Sequence, residues 1–446
     1  MVNLVWRKWP GLRRSESGWY NGPVHTPAGF HQEINKNFRY NFTVNLLDVA
    51  FYMFGTSFMS IGTILPAYVT HFTQNPVLIG LIAFFGSAGF LIPQLLTSNL
   101  VERAPVKKFF PVNIGFFTER VPIFLLVPTT YFLATRAPDL ALVAFFVLMA
   151  WWTFGAGMVM VGWQDMIAKI IPVASRGRFF GLSNFIGNFT GVLGASGVAW
   201  LLWRFEFPTG FVITFAIASV CSLLSWFFLS LSREPRDPVT KPVVSSLQYF
   251  KALPAVIRSN KNFENFLIAQ VISALGGLAV GFILVYGIQR WHLSDGQAAS
   301  YGIALLLAQS LANLVLGFLA DRKGHKLVLE ISIAMSIASF GVALFAQDPA
   351  WFYLVFALRG VVAAGSFVSG MSLPLEFSVP QDRPTYIGLA STLPGIAGAL
   401  APMVAGGLAT FTGYPTLFLA SAVISALAFG MMRWGVKDPR HVGGRL

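Results

Sequence analysis

Glu119, Arg120 and Arg359 stand about ten residues inside runs that are otherwise apolar, which at ~1.5 Å per residue is near mid-depth of a ~30 Å hydrocarbon layer. Translocon scales put a charged side chain there at roughly +2.5 to +3.5 kcal/mol, so such groups face a partner, a wet cavity or a ligand. Arg359 presents a planar fork of N–H donors, and no acid follows it in its run before Glu376, too far along a helix to reach. Its acceptor therefore comes from another helix, from water or from a ligand. Glu119 beside Arg120 suits an ion pair or a proton-carrying carboxyl, and Asp48, nearer the start of the first run, suits a proton site, a latch or a surface position. From Asp48, Tyr52, Thr56 and Ser60 follow at i+4, a polar stripe on an apolar helix. Three more runs carry small or polar faces at helical spacing: Trp151, Gly155, Met158 and Gly162; Gln270, Ser273, Gly277 and Gly281; Arg359, Ala363, Ser366 and Gly370. Gln309 with Asn313, and Asn184 with Asn188, are each one turn apart and suit hydrogen bonding between helices or to a ligand. Gly187, Gly191, Gly194 and Gly197 form a packing or sliding face.

Asp321 has a different setting, a tight charged turn between two apolar runs: Gly317-Phe-Leu-Ala-Asp321-Arg322-Lys-Gly324-His-Lys326. Upstream, Ser98-Asn-Leu-Val-Glu102-Arg103-Ala-Pro105-Val-Lys107 keeps the leucine, the acid followed by arginine, and the lysine, with Ser98 and Pro105 in place of the two glycines. An acid at a helix end beside an arginine lets that end dock on a neighbour through charge-assisted hydrogen bonds that break and reform between two states. The expected partners lie within each half: Asp321, Arg322 and Lys326 opposite Glu376 and Arg383, and Glu102, Arg103 and Lys107 opposite Asp165, Arg176 and Arg178. A second echo runs from Pro172 through Arg176 to Gly181 and from Pro380 through Arg383 to Gly388. The chain reads as a duplication.

Around these residues the chain is 446 residues long, 55% hydrophobic and 11% charged, whereas a soluble globule is about a quarter charged. It reads as a polytopic membrane protein. Runs long enough to cross as helices of ~20 residues fall at 43–69, 76–97, 109–134, 139–164, 180–204, 210–231, 263–288, 297–319, 327–346, 350–374, 385–411 and 415–434. The basic, proline-containing segment 232–262 divides an N-terminal half, 43–231, from a C-terminal half, 263–434, with tails at 1–42 and 435–446. On alternate loops the only basic residues are Arg136, Arg204 and Arg290, so the positive-inside rule places both termini and both charged turns in the cytoplasm; the expected location is a prokaryotic plasma (inner) membrane. Residues 1–42 hold no apolar run of signal-peptide length, and Trp6, Trp9 and Trp19 among the tail's basic residues suit a disordered tail or the headgroup layer. The net charge of +13 reads as membrane topology and not as a nucleic-acid surface. A single cysteine, Cys221, and six histidines without ligand spacing speak against a disulfide, a metal or another cofactor. No G-x-x-x-x-G-K-[ST], H-E-x-x-H or G-x-S-x-G element occurs, so ATP hydrolysis, metalloproteolysis and serine hydrolysis lack their parts and no enzyme is expected.

The charged turn resembles the loop motif of the major facilitator superfamily, G-x-L-x-D-R-x-G-R-K, which in that family joins the second and third transmembrane helices and recurs between the eighth and ninth. The resemblance covers 43–434. It implies an all-α protein with twelve transmembrane helices in two pseudo-symmetric six-helix halves, and a monomeric secondary transporter among membrane lipids. Such a protein moves a small-molecule substrate by alternating access, with protons or another ion as the coupling partner. In this family the first, fourth, seventh and tenth helices line the cavity and the third is peripheral. That implies Arg359 as the principal substrate ligand, with Tyr52, Thr56, Trp151 and Gln270 as further contacts; Gln309 and Asn313 of the eighth run join them as candidates on their spacing. Glu119 and Arg120 would tie the third span to its neighbours. Span five lacks the Gly-Pro pair of the drug-antiporter branch, which sets the chain outside that branch. The competing readings are a non-pumping carrier or scaffold for a membrane-bound pigment or lipid, a multidrug exporter and, third, an integral membrane enzyme.

Overall fold

In hydrocarbon every backbone N–H and C=O must be satisfied within the protein, and an apolar run of ~20 residues achieves this as a helix. A computed structural model describes residues 27–61, 63–73, 76–236, 246–293 and 295–442; the tryptophans of the tail and part of segment 232–262 lie outside them. The first span is Pro27–Ser57 continued by Ile64–Thr70, the second Pro76–Glu102, the third Phe110–Leu133, the fourth Pro138–Ile170, the fifth Val173–Arg204 and the sixth Thr209–Ser230. A short helix, Ser246–Ser259, leads to the seventh span, Lys261–Trp291, then Asp295–Lys323, His325–Phe345 and Trp351–Gly370. Spans eleven and twelve form the continuous stretch Arg383–Gly430, broken at Gly413, whose φ of 77° is in the left-handed region that glycine adopts without a Cβ penalty. The fold is all-α.

Span one starts well before residue 43. The polar stretch ahead of that residue is helical because its amides are satisfied by the chain leaving span six: Asn41 Nδ2 donates to the Arg233 carbonyl (2.8 Å), Arg233 N donates to Asn41 Oδ1 (2.9 Å), and Asn45 Nδ2 donates to Ser232 Oγ (3.0 Å). Span three contains two π turns, Phe110–Ile114 and Phe116–Arg120. Pro122 has no N–H to return to the Thr118 carbonyl. Gly155 of span four packs on that same carbonyl, where a Cβ would collide with backbone.

Two apolar clusters lie toward one end of the molecule, each within its own half: Tyr68, Phe145, Phe211 and Phe215 with their neighbours, and Tyr301, Phe340, Phe352 and Phe418 with theirs. At the end that carries the charged turns the clusters mix the halves. Val101, Phe110 and Val161 pack with Leu375 and Ile387, and Phe367 and Met371 pack against the Phe179–Phe180 group. Among the described residues the apolar clusters therefore join the halves at this end, here called the signature face, and stay within their own halves at the other.

Candidate functional site

The acids of the two signature turns reach across to the opposite half. Asp321, ending span eight, accepts from Gly177 N (2.7 Å), Arg178 N (3.0 Å) and Arg178 Nε (2.9 Å), all near the start of span five. Glu102, ending span two, accepts from Thr385 N at the start of span eleven (3.2 Å) and from the Thr385 hydroxyl. A carboxylate that gathers several N–H and O–H donors is a charge-assisted clasp, roughly twice as strong as neutral pairs. Close crossings make these contacts possible. A Cβ on Gly177 would stand 2.5 Å from the Gly317 carbonyl oxygen and 2.6 Å from Asp321 Oδ1, and Gly181 lies against the Asn313 carbonyl. On the other side Gly388 packs on Ser98. The glycines five residues beyond Arg176 and Arg383 are thus the points where span five crosses eight and span eleven crosses two. Asn184 Nδ2 to Asn313 Oδ1 (2.7 Å) and Gln164 Nε2 to the Met371 carbonyl (2.6 Å) add bonds across the halves.

The expected pairing within each half is corrected accordingly. Glu376 bonds Arg440 (3.0 and 3.1 Å), and Arg440 also donates to the Asp321 carbonyl (3.1 Å), so Glu376 reaches the end of span eight through the C-terminal segment. Lys326 pairs with Glu330 (3.0 Å) on its own helix, and Arg322 is exposed. Arg176 donates to carbonyls at the end of span four, Ala168 and Ile171, and lies in electrostatic range of Arg383 and Glu376. Arg103 bonds Asn99. Lys107 does lie beside Asp165 (3.7 Å), as expected.

Sequence reasoning overlooked Glu234. It accepts from Lys107 N (2.9 Å), Lys108 N (2.7 Å) and Lys169 Nζ (2.9 Å), holding the upstream turn against the exit of span six. The Lys108 side chain, half-buried there, has its pKa lowered by desolvation, against the opposing pull of Glu234. Asp438 is its counterpart: Gly324, at φ 98°, turns the chain so closely past it that a Cβ would stand 2.5 Å from Asp438 Oδ2. The signal was present, since Arg233-Glu234-Pro235-Arg236 and Lys437-Asp438-Pro439-Arg440 follow spans six and twelve as basic-acid-Pro-Arg repeats.

Away from the signature face each half holds a cavity. In the C-terminal half about 280 Å³ is lined by Gln270, Ser273, Ser332, Ser336, Arg359 and Ser366 among others, and in the N-terminal half about 230 Å³ by Tyr52, Thr56, Met59, Phe90 and Trp152 among others. Arg359 Nη1 donates to Ser336 Oγ (3.0 Å) and its guanidinium lies 5.5 Å from the Phe340 ring centre. Among the described residues no carboxylate pairs with it. Three expected contacts stand elsewhere. Trp151 points outward at 41% exposure, and Trp152 takes its place in the cavity wall. Asn313 is fully buried in the Asn184 pair, and Gln309 lies where Gly360 of span ten packs closely on span eight.

Asp48 lies deep and not at a surface. It is 4% exposed and accepts from the Ser225 hydroxyl of span six (2.6 Å). Arg120 contacts Glu119, its own neighbour, lies 5.8 Å over the Tyr52 ring, and is in electrostatic range of Asp48. Span three is tied to span one through Arg120, while Glu119 completes the charge group from the same helix.

A family model described as "Major Facilitator Superfamily" matches residues 266–446. Over 163 residues the chain is 27% identical to the "Inner membrane metabolite transport protein YgcS" of Escherichia coli (strain K12), covering 36% of this chain and 36% of that protein. Over 135 residues it is 35% identical to "Multidrug resistance protein MdtG" of Escherichia coli (strain 55989 / EAEC), covering 30% and 32%. These alignments span about a third of the curated relatives' length. The whole fold is matched by the crystal structure of the transporter FucP in the outward conformation, with a TM-score of 0.70 at 16% identity over 89% of this chain and 99% of that one. The family model thus identifies the C-terminal part of the chain, residues 266–446, as similar to the major facilitator superfamily, and the fold of the whole chain is that of the matched structure.

Proposed function

We propose that the protein is a secondary transporter that moves a small solute across the plasma (inner) membrane by alternating access between the half at 43–231 and the half at 263–434. The observation that carries this reading is the pair of crosswise clasps: Asp321 and Glu102 tie the halves together at one face, while the apolar clusters at the other face stay within their own halves. A cavity closed at one end by breakable charge-assisted bonds is what an alternating gate requires. The signature face is assigned to the cytoplasm because the basic residues gather there, and the molecule is then outward-open. Arg359 is the substrate's polar anchor. Two carboxylates, Asp48 and Glu119, share the single guanidinium of Arg120, so the odd carboxyl can hold a proton, which supports proton coupling.

Labelling of introduced cysteines at the crossing of spans five and eight with a membrane-impermeant thiol reagent tests the reading. Asp321→Asn is expected to raise labelling from the cytoplasmic side and lower it on the opposite face; unchanged labelling on both faces in a folded protein rejects it. The relatives named for multidrug resistance support a second reading as an exporter of lipophilic drugs, which predicts binding of organic cations.

A further inference from the structure

We propose that the substrate is an amphiphilic organic anion, an acid group on Arg359 in the C-terminal half and a flat apolar ring against Phe90 and Trp152 in the N-terminal half. This rests on the assignment of Arg359 as the substrate anchor. The first support is charge. Other buried cations have acids beside or near them: Arg120 has Glu119, Lys107 has Asp165, Lys169 has Glu234, and Arg176 lies in electrostatic range of Glu376 and Asp165. Arg359, half-buried in its cavity wall, has only the Ser336 hydroxyl and the Phe340 ring among the described residues. A guanidinium has five N–H donors in a planar fork, and one serine oxygen leaves most of them for a visitor with paired oxygens. Ser273, Ser366 and Gln270 stand around it as further hydrogen-bonding groups for those oxygens.

The second support is the contrast between the halves. The N-terminal cavity is walled by Tyr52, Met59, Ile61, Phe90 and Trp152, with no charged side chain in its lining. Trp152 is 6% exposed and its buried indole N–H faces the Tyr52 hydroxyl. An aromatic wall with an indole N–H and a phenol hydroxyl at its edge suits a flat ring that carries a polar group. The third support is size and position. Cavities of about 230 and 280 Å³ each fall below the ~300 to 1,000 Å³ usual for ligand sites, and together they fall within it. They flank one crossing, where Phe90 lines the first and Pro394 the second. Between them Leu91 packs on Gly395, and Thr392 Oγ1 donates to the Leu91 carbonyl (3.4 Å). One molecule reaching past this crossing would touch both halves, as a substrate that draws them together must. Organic cations are disfavoured at the same place by Arg359 itself.

The full chain in detergent is tested by isothermal calorimetry with 4-hydroxybenzoate, acetate, benzyl alcohol, a neutral hexose and tetraphenylphosphonium. Saturable binding of 4-hydroxybenzoate, with acetate and benzyl alcohol each at least tenfold weaker, is expected. Arg359→Gln and Trp152→Leu are each expected to weaken 4-hydroxybenzoate at least tenfold, with Trp152→Leu leaving acetate unchanged. Should Arg359→Gln fail to fold, Arg359→Lys keeps the charge without the fork and is expected to weaken binding less, with the same order of ligands. Preference for the hexose or for tetraphenylphosphonium, equal binding of acetate and 4-hydroxybenzoate, or indifference to both variants overturns the proposal. Cysteine labelling separates the two readings: labelling that alternates between faces while no aromatic acid binds rejects the substrate class and keeps the transporter, whereas binding without alternation does the reverse.

Discussion

Arg120 shows how a single side chain sets the character of its surroundings. It sits between an acid on its own helix, Glu119, and one on span one, Asp48, with Tyr52 of the cavity wall beneath it. Breaking a buried pair by removing one partner leaves an uncompensated charge and costs ~3 to 5 kcal/mol. Arg120→Leu strands two carboxylates, whereas Glu119→Gln leaves Arg120 still facing Asp48. Thermal unfolding should therefore rank Arg120→Leu as far more destabilising than Glu119→Gln, and the reverse ranking would show that Arg120 is not the shared partner. That three charges lay within the membrane was legible in the residues. The tie of Arg120 to Asp48 and Tyr52 was not, because it depends on the rotation of span three, which the two π turns alter, and on the extra turns that span one gains at its start. Trp151 and Trp152 illustrate the same limit: a helical face read from spacing alone is uncertain by one residue, about 100° of rotation, and the outward tryptophan was chosen over the inward one.

At the scale of helices, the crossing of spans five and eight is set by glycine. Gly177 and Gly317 present each other with backbone carbonyls so close that a Cβ on Gly317 would stand 2.7 Å from the Gly177 oxygen. Backbone cannot give way as a flexible side chain can, and overpacking typically costs ~1 to 3 kcal/mol. The cost falls on the clasped state alone, because the strain exists only while the two helices touch. Gly177→Ala should consequently leave the protein folded yet raise thiol labelling at the signature face, much as Asp321→Asn does. Loss of all folded protein, or normal labelling, would mean that the crossing is not a moving contact. The positions of the spans were readable because hydropathy needs only composition. The clasps were misassigned because pairing across the halves joins residues more than a hundred positions apart, and proximity in sequence favoured partners in the same half. The basic-acid-Pro-Arg repeats after spans six and twelve were in plain view, and they mark Glu234 and Asp438 as equivalents that fasten the turns from behind.

For the whole molecule, the question is whether the two halves move as rigid bodies. The clasps at Asp321 and Glu102 share no residue, so their contributions to the closed signature face should add. The Glu102 side has one further attachment, since the Tyr249 hydroxyl of the helix between the halves meets Thr385 Oγ1 at 2.8 Å, and Thr385 is the residue that Glu102 binds. Hydrogen bonds to a charged group contribute about 1.5 to 3 kcal/mol each, so neutralising either acid should shift the population toward the opened signature face by roughly 10- to 150-fold. The double variant, Asp321→Asn with Glu102→Gln, should shift it by about 3 to 6 kcal/mol, the sum. Cys221 is the single native cysteine and is buried, so spin labels can be attached at introduced sites and read by pulsed electron paramagnetic resonance. One label pair would span the crossing of spans five and eight, the other that of spans two and eleven. If the halves are rigid, either single variant lengthens both distances together, because opening one clasp swings the whole half and carries the other with it. A variant that lengthened only its own distance would show each crossing opening locally, and the alternation would then belong to helix pairs and not to halves.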